Sequence, residues 1–258
     1  MKPIATGAAP SWAHTCCAEP GANISGHRTA PRMLSDALEF LALVFLLLGV
    51  PVFSVNTMRR PELFQIPRRA LYSSAVLSAW LLAAIILAVE LVVRRKVWGF
   101  TLLSWGVFAR WAGLIAGIAF AAVAAEIVLE KFGLWPEESA LVRFLMPETT
   151  VEKLWCVFLL APTAGICEEF VYRGFLLPTL SVVLHSMGWA VIISSAAFGL
   201  AHPYQGWRGM ARAALLGALL AWPVVRLGSL YPSMAAHFLM DAVSLGWLGP
   251  ATLRRESP

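Results

Sequence analysis

Apolar stretches about as long as a bilayer's hydrocarbon core is thick recur along this chain, and nothing else in it constrains the fold as strongly. A helix needs ~20 mostly apolar residues to span that core. Segments 37–55, 71–93, 111–129, 154–180, 187–201, 211–227 and 230–248 meet or approach that requirement. They predict an all-α, polytopic transmembrane helix bundle of about seven spans, six to eight. Composition agrees, with 59% of the 258 residues apolar and 14% charged, against ~45–50% and ~25% in a soluble domain. That balance excludes a water-soluble globule and a disordered chain alike. Residues 97–108 are apolar but short and rich in Trp and Gly, which predicts an interfacial helix rather than a span. The Ala and Gly of 111–129 are expected to let neighbouring helices approach closely.

The remaining segments read as flanks and loops. Residues 1–32 are polar and rich in Pro and Gly, a flexible leader without the apolar core of a secretory signal, and Met33 is a second candidate start. Residues 33–250 read as one membrane-embedded domain and 251–258 as a short tail. The stretch 130–150, with Pro136, Pro147 and four Glu, reads as a wet loop. The net charge is +5, but the basic residues cluster beside apolar runs, as in Arg59-Arg60, Arg68-Arg69 and Arg94-Arg95-Lys96. Such clusters set topology and meet lipid headgroups, so nucleic acid is not a partner. Loops 56–70 and 94–110 are both basic, which leaves the membrane orientation open. The four cysteines form neither a disulfide framework nor a zinc ribbon, since Cys16 and Cys17 are adjacent in the leader and Cys156 and Cys167 lie in apolar segments.

Ionisable residues are the informative ones in such a chain, because hydrocarbon penalises each unless it is paired or wet. Glu39, Glu90 and Glu126 stand near segment ends, where snorkelling to the interface accounts for them. A denser group lies in the second half: Glu168, Glu169, Arg173, His202, Arg226, His237 and Asp241. In CEEFVYRG, Glu169 and Arg173 are four apart and pair on one helix face. Glu168 then stands about a hundred degrees round the helix without a local partner. An embedded carboxylate of that kind suits a general acid or base. Alternatively, both acids bind Arg173 and Arg226 in a packing network. In FGLAHP, His202 closes its segment one turn after Phe198, and Pro203 either exposes it to a cavity or leaves it a solvated helix-end residue. In HFLMD, His237 and Asp241 lie one turn apart, as an orienting pair or as ligands of a shared water or metal ion. Together, one unpartnered Glu and two His on three segments supply the groups needed to activate water for amide hydrolysis. The HExxH of intramembrane zinc proteases, a Gly-x-Ser-Gly and a Gly-x-Gly-Asp are absent from the sequence.

The order EEFVYR (Glu168–Arg173), FGLAH (Phe198–His202) and HFLMD (His237–Asp241) resembles the CPBP family of CAAX-prenyl endopeptidases and bacteriocin-processing (Abi) intramembrane proteases. RLGSLYPSMAAH also resembles the run into that family's last His. The resemblance covers about residues 152–245, the expected catalytic half. It implies an intramembrane endopeptidase in which Glu168 and His202 activate water, His237 and Asp241 form the second pair, and Glu169, Arg173 and Phe198 support them. Many relatives carry Asn at the position of Asp241, where an amide can donate to an oxyanion; an ionised Asp cannot. Glu168, His202, His237 and Asp241 are also plausible ligands for a divalent metal such as zinc, so metal-dependent and metal-free chemistry both stand open. The implied partners are the lipid bilayer and a membrane-anchored or lipidated peptide, and the implied location is a multi-pass position in a prokaryotic inner membrane. Two other readings compete: a non-catalytic relative that binds a peptide or partner, as in bacteriocin immunity, and a proton-coupled transporter.

Overall fold

The computed structural model describes residues 30–93, 99–133 and 139–248. The expected leader (apart from residues 30–32), the short tail and the expected Arg94-Arg95-Lys96 flank lie outside them. Among the described residues, short 3-10 turns aside, eight helices follow in order: α1 (Met33–Met58), α2 (Arg68–Val93), α3 (Trp105–Lys131), α4 (Ala140–Leu145), α5 (Thr150–Val183), α6 (Met187–Leu200), α7 (Gly206–Leu227) and α8 (Tyr231–Val243). Among the described residues there is no strand, only an isolated antiparallel bridge between Phe100 and Ser229. The protein is an integral membrane protein: α1, α2, α3, α5 and the run Pro203–Leu227 are each long and apolar enough to cross a bilayer.

The two other expected spans are shorter as helices. α6 has 14 residues and ends where Pro203 follows His202; α8 has 13 and is prolonged to Leu248 by a wide π-helical turn. The interfacial helix expected at 97–108 is not formed. Residues 97 and 98 lie outside the described set, 99–104 are non-helical, and 105–108 are the first turn of α3. Backbone pairing diverts this stretch: Leu230 N–H donates to the Gly99 carbonyl at 2.6 Å, and Thr101 N–H to that of Gly228 at 3.4 Å. The expected wet loop is partly built as well. Its residues 134–138 are outside the described set, but α4 buries Leu141 and Val142 and is capped by the Ser139 hydroxyl, which accepts from Val142 N–H.

α5 is the central element. A reciprocal Thr149–Glu152 capping box starts it, and Arg68 and Tyr72 at the head of α2 hold the approach to it through the carbonyls of Phe144 and Leu145. Wide π-helical turns interrupt the helices at 45–49 in α1 and at 156–160, 164–168 and 170–176 in α5. Three of the four end two residues before a proline: Pro51, Pro162 and Pro178. A helix proline has no N–H to donate and crowds the carbonyl four residues earlier; residues 47, 158 and 174 fall in the widened turns, which relieve that clash without breaking the helix.

The core, with Leu46, Ile86, Val171, Phe175, Leu177, Phe198 and Leu230, gathers around the second half of α5. α8 crosses α5 at Gly165, where a Cβ would meet the Met234 carbonyl oxygen at 2.8 Å and the Phe238 nitrogen at 3.0 Å. The two backbones touch there because no side chain intervenes. The glycines of α3 do not behave as expected: Gly113 and Gly117 face open space, and the helix packs instead through Ala112, Ile115, Ala116 and Ala119. Gly165→Ala should therefore lower the melting temperature in detergent by several degrees, from ~1–3 kcal/mol of overpacking at roughly 2–4 °C per kcal/mol. Gly113→Ala and Gly117→Ala should leave it unchanged or raised, which thermal unfolding of the three variants checks.

Candidate active site

Two of the wide turns of α5 carry the motif EEFVYR, Glu168 closing one and Phe170–Arg173 opening the next. Glu169, fully buried, receives a hydrogen bond at 2.8 Å from Arg173 Nη1, itself 2% exposed. The pairing expected from the i,i+4 spacing is present. The same carboxylate oxygen also lies 2.8 Å from Nδ1 of His237 on α8. An oxygen already bound to a guanidinium is an ionised acceptor, so Nδ1 carries the proton it donates. Arg173 is held from below by Phe198, its Cζ 4.3 Å from the ring centroid, and from the side by Gly217, whose missing Cβ would sit 3.1 Å from Nη2. Arg226 takes no part. It is exposed near the end of α7, which removes it from the network the sequence allowed.

Glu168 faces the other way. Its Oε2 is buried, with no hydrogen-bond partner among the described residues. Two imidazoles aim at it: His202 Nε2 at 3.7 Å and His237 Nε2 at 4.0 Å. His202 donates from Nδ1 to the Phe198 carbonyl at 2.7 Å. A carbonyl only accepts, so this bond fixes the tautomer and leaves the lone pair of Nε2 toward Glu168. Asp241 Oδ2 stands 3.6 Å from His237 Nε2, longer than a hydrogen bond. The structure thus brings together Glu168, His202, His237 and Asp241, with Phe198 against both rings, tilted to His202 at a centroid distance of 4.6 Å and edge-on to His237 at 6.0 Å. It gives His237 a different orienting partner from the expected one, namely Glu169 on α5. The separations around Glu168, 3.6–4.0 Å, are too long for direct hydrogen bonds between these groups.

The same gaps bear on a metal. Among the described residues no three His, Cys, Asp or Glu side chains converge as a ligand set. Donor separations of 3.6–4.0 Å exceed the edge of about 3.3 Å that zinc–ligand bonds of ~2.0–2.1 Å span in a tetrahedron.

Over residues 150–243, the chain matches the Rce1-like family. Its model is described as type II CAAX prenyl endopeptidase Rce1-like, a protease family, and the match runs from the first residue of α5 to the last of α8. All three motifs lie inside it, as the resemblance read from the sequence requires. No curated protein and no solved structure matches the chain.

Within and around the Rce1-like segment, some residues beside the site carry no motif. Gly165 sets the α5–α8 approach, and a lone Gly in an apolar run gives no warning of that. Tyr204 follows His202 by two residues, its ring centroid 5.8 Å from the imidazole. Glu126, its side chain 21% exposed, is paired: Arg212 of α7 donates to it at 3.1 Å. Glu90 is also inside, 5% exposed, on the buried stripe it forms with Ala83 and Ile86; Glu39 is half-buried. The two adjacent acids of α5 should separate by experiment. Glu169→Ala strands a buried guanidinium and should destabilise by about 3–5 kcal/mol. Glu168→Gln removes a charge without a bonded partner and should unfold at or above the wild-type temperature, as scanning calorimetry of both variants would read.

Proposed function

We propose that the protein is a CPBP-type intramembrane endopeptidase hydrolysing a peptide bond close to a membrane-anchored segment of its substrate. One observation carries this reading: the buried, unbonded Glu168 oxygen faced by the Nε2 atoms of two histidines whose Nδ1 atoms are both engaged elsewhere. In the proposed reaction a water molecule sits among these atoms. Glu168 takes a proton from it, His202 Nε2 accepts its other hydrogen and orients it, and the oxygen adds to the scissile carbonyl. When the tetrahedral intermediate collapses, the carbon–nitrogen bond breaks and the proton held by Glu168 passes to the departing amine. His237, held through Nδ1 by Glu169, bounds the water on its other side. Glu169, Arg173 and Phe198 act by holding these groups in register, a role supported by their burial and their short contacts.

The donor spacing supports water activation by the protein's own groups, and no step here passes through a metal. Prenylated C-terminal peptides are the first substrates to try, since the matching family is described by that activity. α6 and α8, short as they are, would complete a seven-span arrangement around the site.

The test uses the full-length protein in detergent with three probes: a farnesylated peptide ending in a Cys-aliphatic-aliphatic-X sequence, its unlipidated counterpart, and a peptide carrying a transmembrane anchor. Wild type should cleave at least one anchored probe. Glu168→Gln and His202→Ala should each lower kcat by about 10²–10⁴-fold, the range for lost general acid–base catalysis. Phenanthroline and EDTA should leave the rate unchanged, and metal analysis should find less than one ion per chain. Binding of a probe without cleavage would favour the non-catalytic alternative, and full activity in both variants would sink the mechanism.

A further inference from the structure

Four polar residues that the mechanism leaves unused form a continuous strut leading into the site. It begins at Glu126 on α3, which accepts from Arg212 Nη1 at 3.1 Å. Arg212 Nη2 donates in turn to Gln205 Oε1 at 3.4 Å, and Gln205 Nε2 donates to the Tyr204 hydroxyl oxygen at 3.1 Å. The direction of every bond is forced. Guanidinium only donates, so the Gln205 oxygen must face Arg212 and its amino group must face Tyr204. The phenol oxygen is therefore used as an acceptor, and its own proton remains for another partner. The main chain at this point is fixed too, since Ser139 Oγ donates to the Tyr204 carbonyl at 2.6 Å. The ring stands beside His202, the two centroids 5.8 Å apart. The charged end of the strut is part-exposed, Arg212 31% and Glu126 21%, and its other end, beside His202, carries one unspent O–H.

We propose that Tyr204 is a further catalytic residue, whose O–H donates a hydrogen bond to the substrate carbonyl oxygen as negative charge develops on it, with Gln205, Arg212 and Glu126 as positioning residues. This rests on the hydrolytic reading above. It also supplies an O–H donor that does not depend on the protonation state of Asp241. During attack the new carbon–oxygen bond forms, the carbonyl π pair moves onto oxygen, and that oxygen is met by the phenol. The phenolic proton never leaves its oxygen; the proton ledger of the reaction runs through Glu168 alone.

The experiment compares wild type, Glu168→Gln, Tyr204→Phe, Gln205→Leu and the Tyr204→Phe/Gln205→Leu double variant, full-length in detergent, on whichever of the three peptide probes above the wild type cleaves. Tyr204→Phe keeps the ring on His202 and removes only the hydroxyl. It should lower kcat by about 10²–10³-fold, the usual loss for one oxyanion donor, with KM within about threefold. Gln205→Leu should lower kcat at least several-fold, and should add nothing in the Tyr204→Phe background. Thermal unfolding verifies that each variant folds; if Tyr204→Phe does not, Gln205→Leu still reads the loss in kcat. Wild-type kcat in Tyr204→Phe with an inactive Glu168→Gln overturns this inference and leaves the hydrolytic reading intact. A change confined to KM, or additive losses from the two substitutions, also overturns it. An active Glu168→Gln, or no cleavage of any probe by wild type, overturns both.

Discussion

One carboxylate oxygen joins the two helices on which the site is built. Glu169 Oε1 is bound at 2.8 Å by Arg173 of its own helix and at 2.8 Å by His237 of α8, in a region from which water is nearly excluded. Such a charge is tolerable only with its partners in place. The orientation of His237, the position of the guanidinium over Phe198 and the crossing of α5 and α8 are consequently one constraint. Gly165 permits the approach, since a side chain there would collide with the backbone of α8. Once Glu169 is committed in this way, Glu168 is the acid left over. The division of labour between two adjacent glutamates follows from which of them the arginine and histidine claim.

Much of this was legible in the sequence, because hydrocarbon makes polar residues conspicuous. The five long apolar helices and the Glu169–Arg173 pair follow from run length and from spacing on one helix. So does the prominence of Glu168, His202 and His237, whose convergence the structure reports. Spacing within one helix was less reliable where tertiary contact competes. His237 and Asp241 are one turn apart and suggest an orienting pair, yet the histidine takes its short hydrogen bond from another helix, 68 residues away in sequence.

What could not be read has a physical pattern. Backbone pairing between residues 99–101 and 228–230 turns an apolar, Trp-rich stretch away from the helix its composition suggests, and such pairing is invisible in a linear string. Glu126 and Arg212 look like separate interfacial charges because their partnership crosses between α3 and α7. The glycines of α3 show the same limit in reverse: composition marks them as packing residues, and the fold turns them outward. The helices α6 and α8 follow the expected segments closely, α8 changing at Ser244 to a π-helical turn that runs to Leu248.

The matched segment begins at residue 150, yet the head of α5 does not stand by itself. Arg68 holds the Phe144 carbonyl, Tyr72 the Leu145 carbonyl at 2.7 Å, and Trp80 donates to Thr163 at 3.1 Å, so α2 grips the approach to α5 and its first half along several turns. Glu126 likewise reaches α7 from α3. The boundary of family likeness is therefore not a boundary of the folding unit. The spans whose sequences look interchangeable act as a mould for the matched half, through named side chains on α2 and α3.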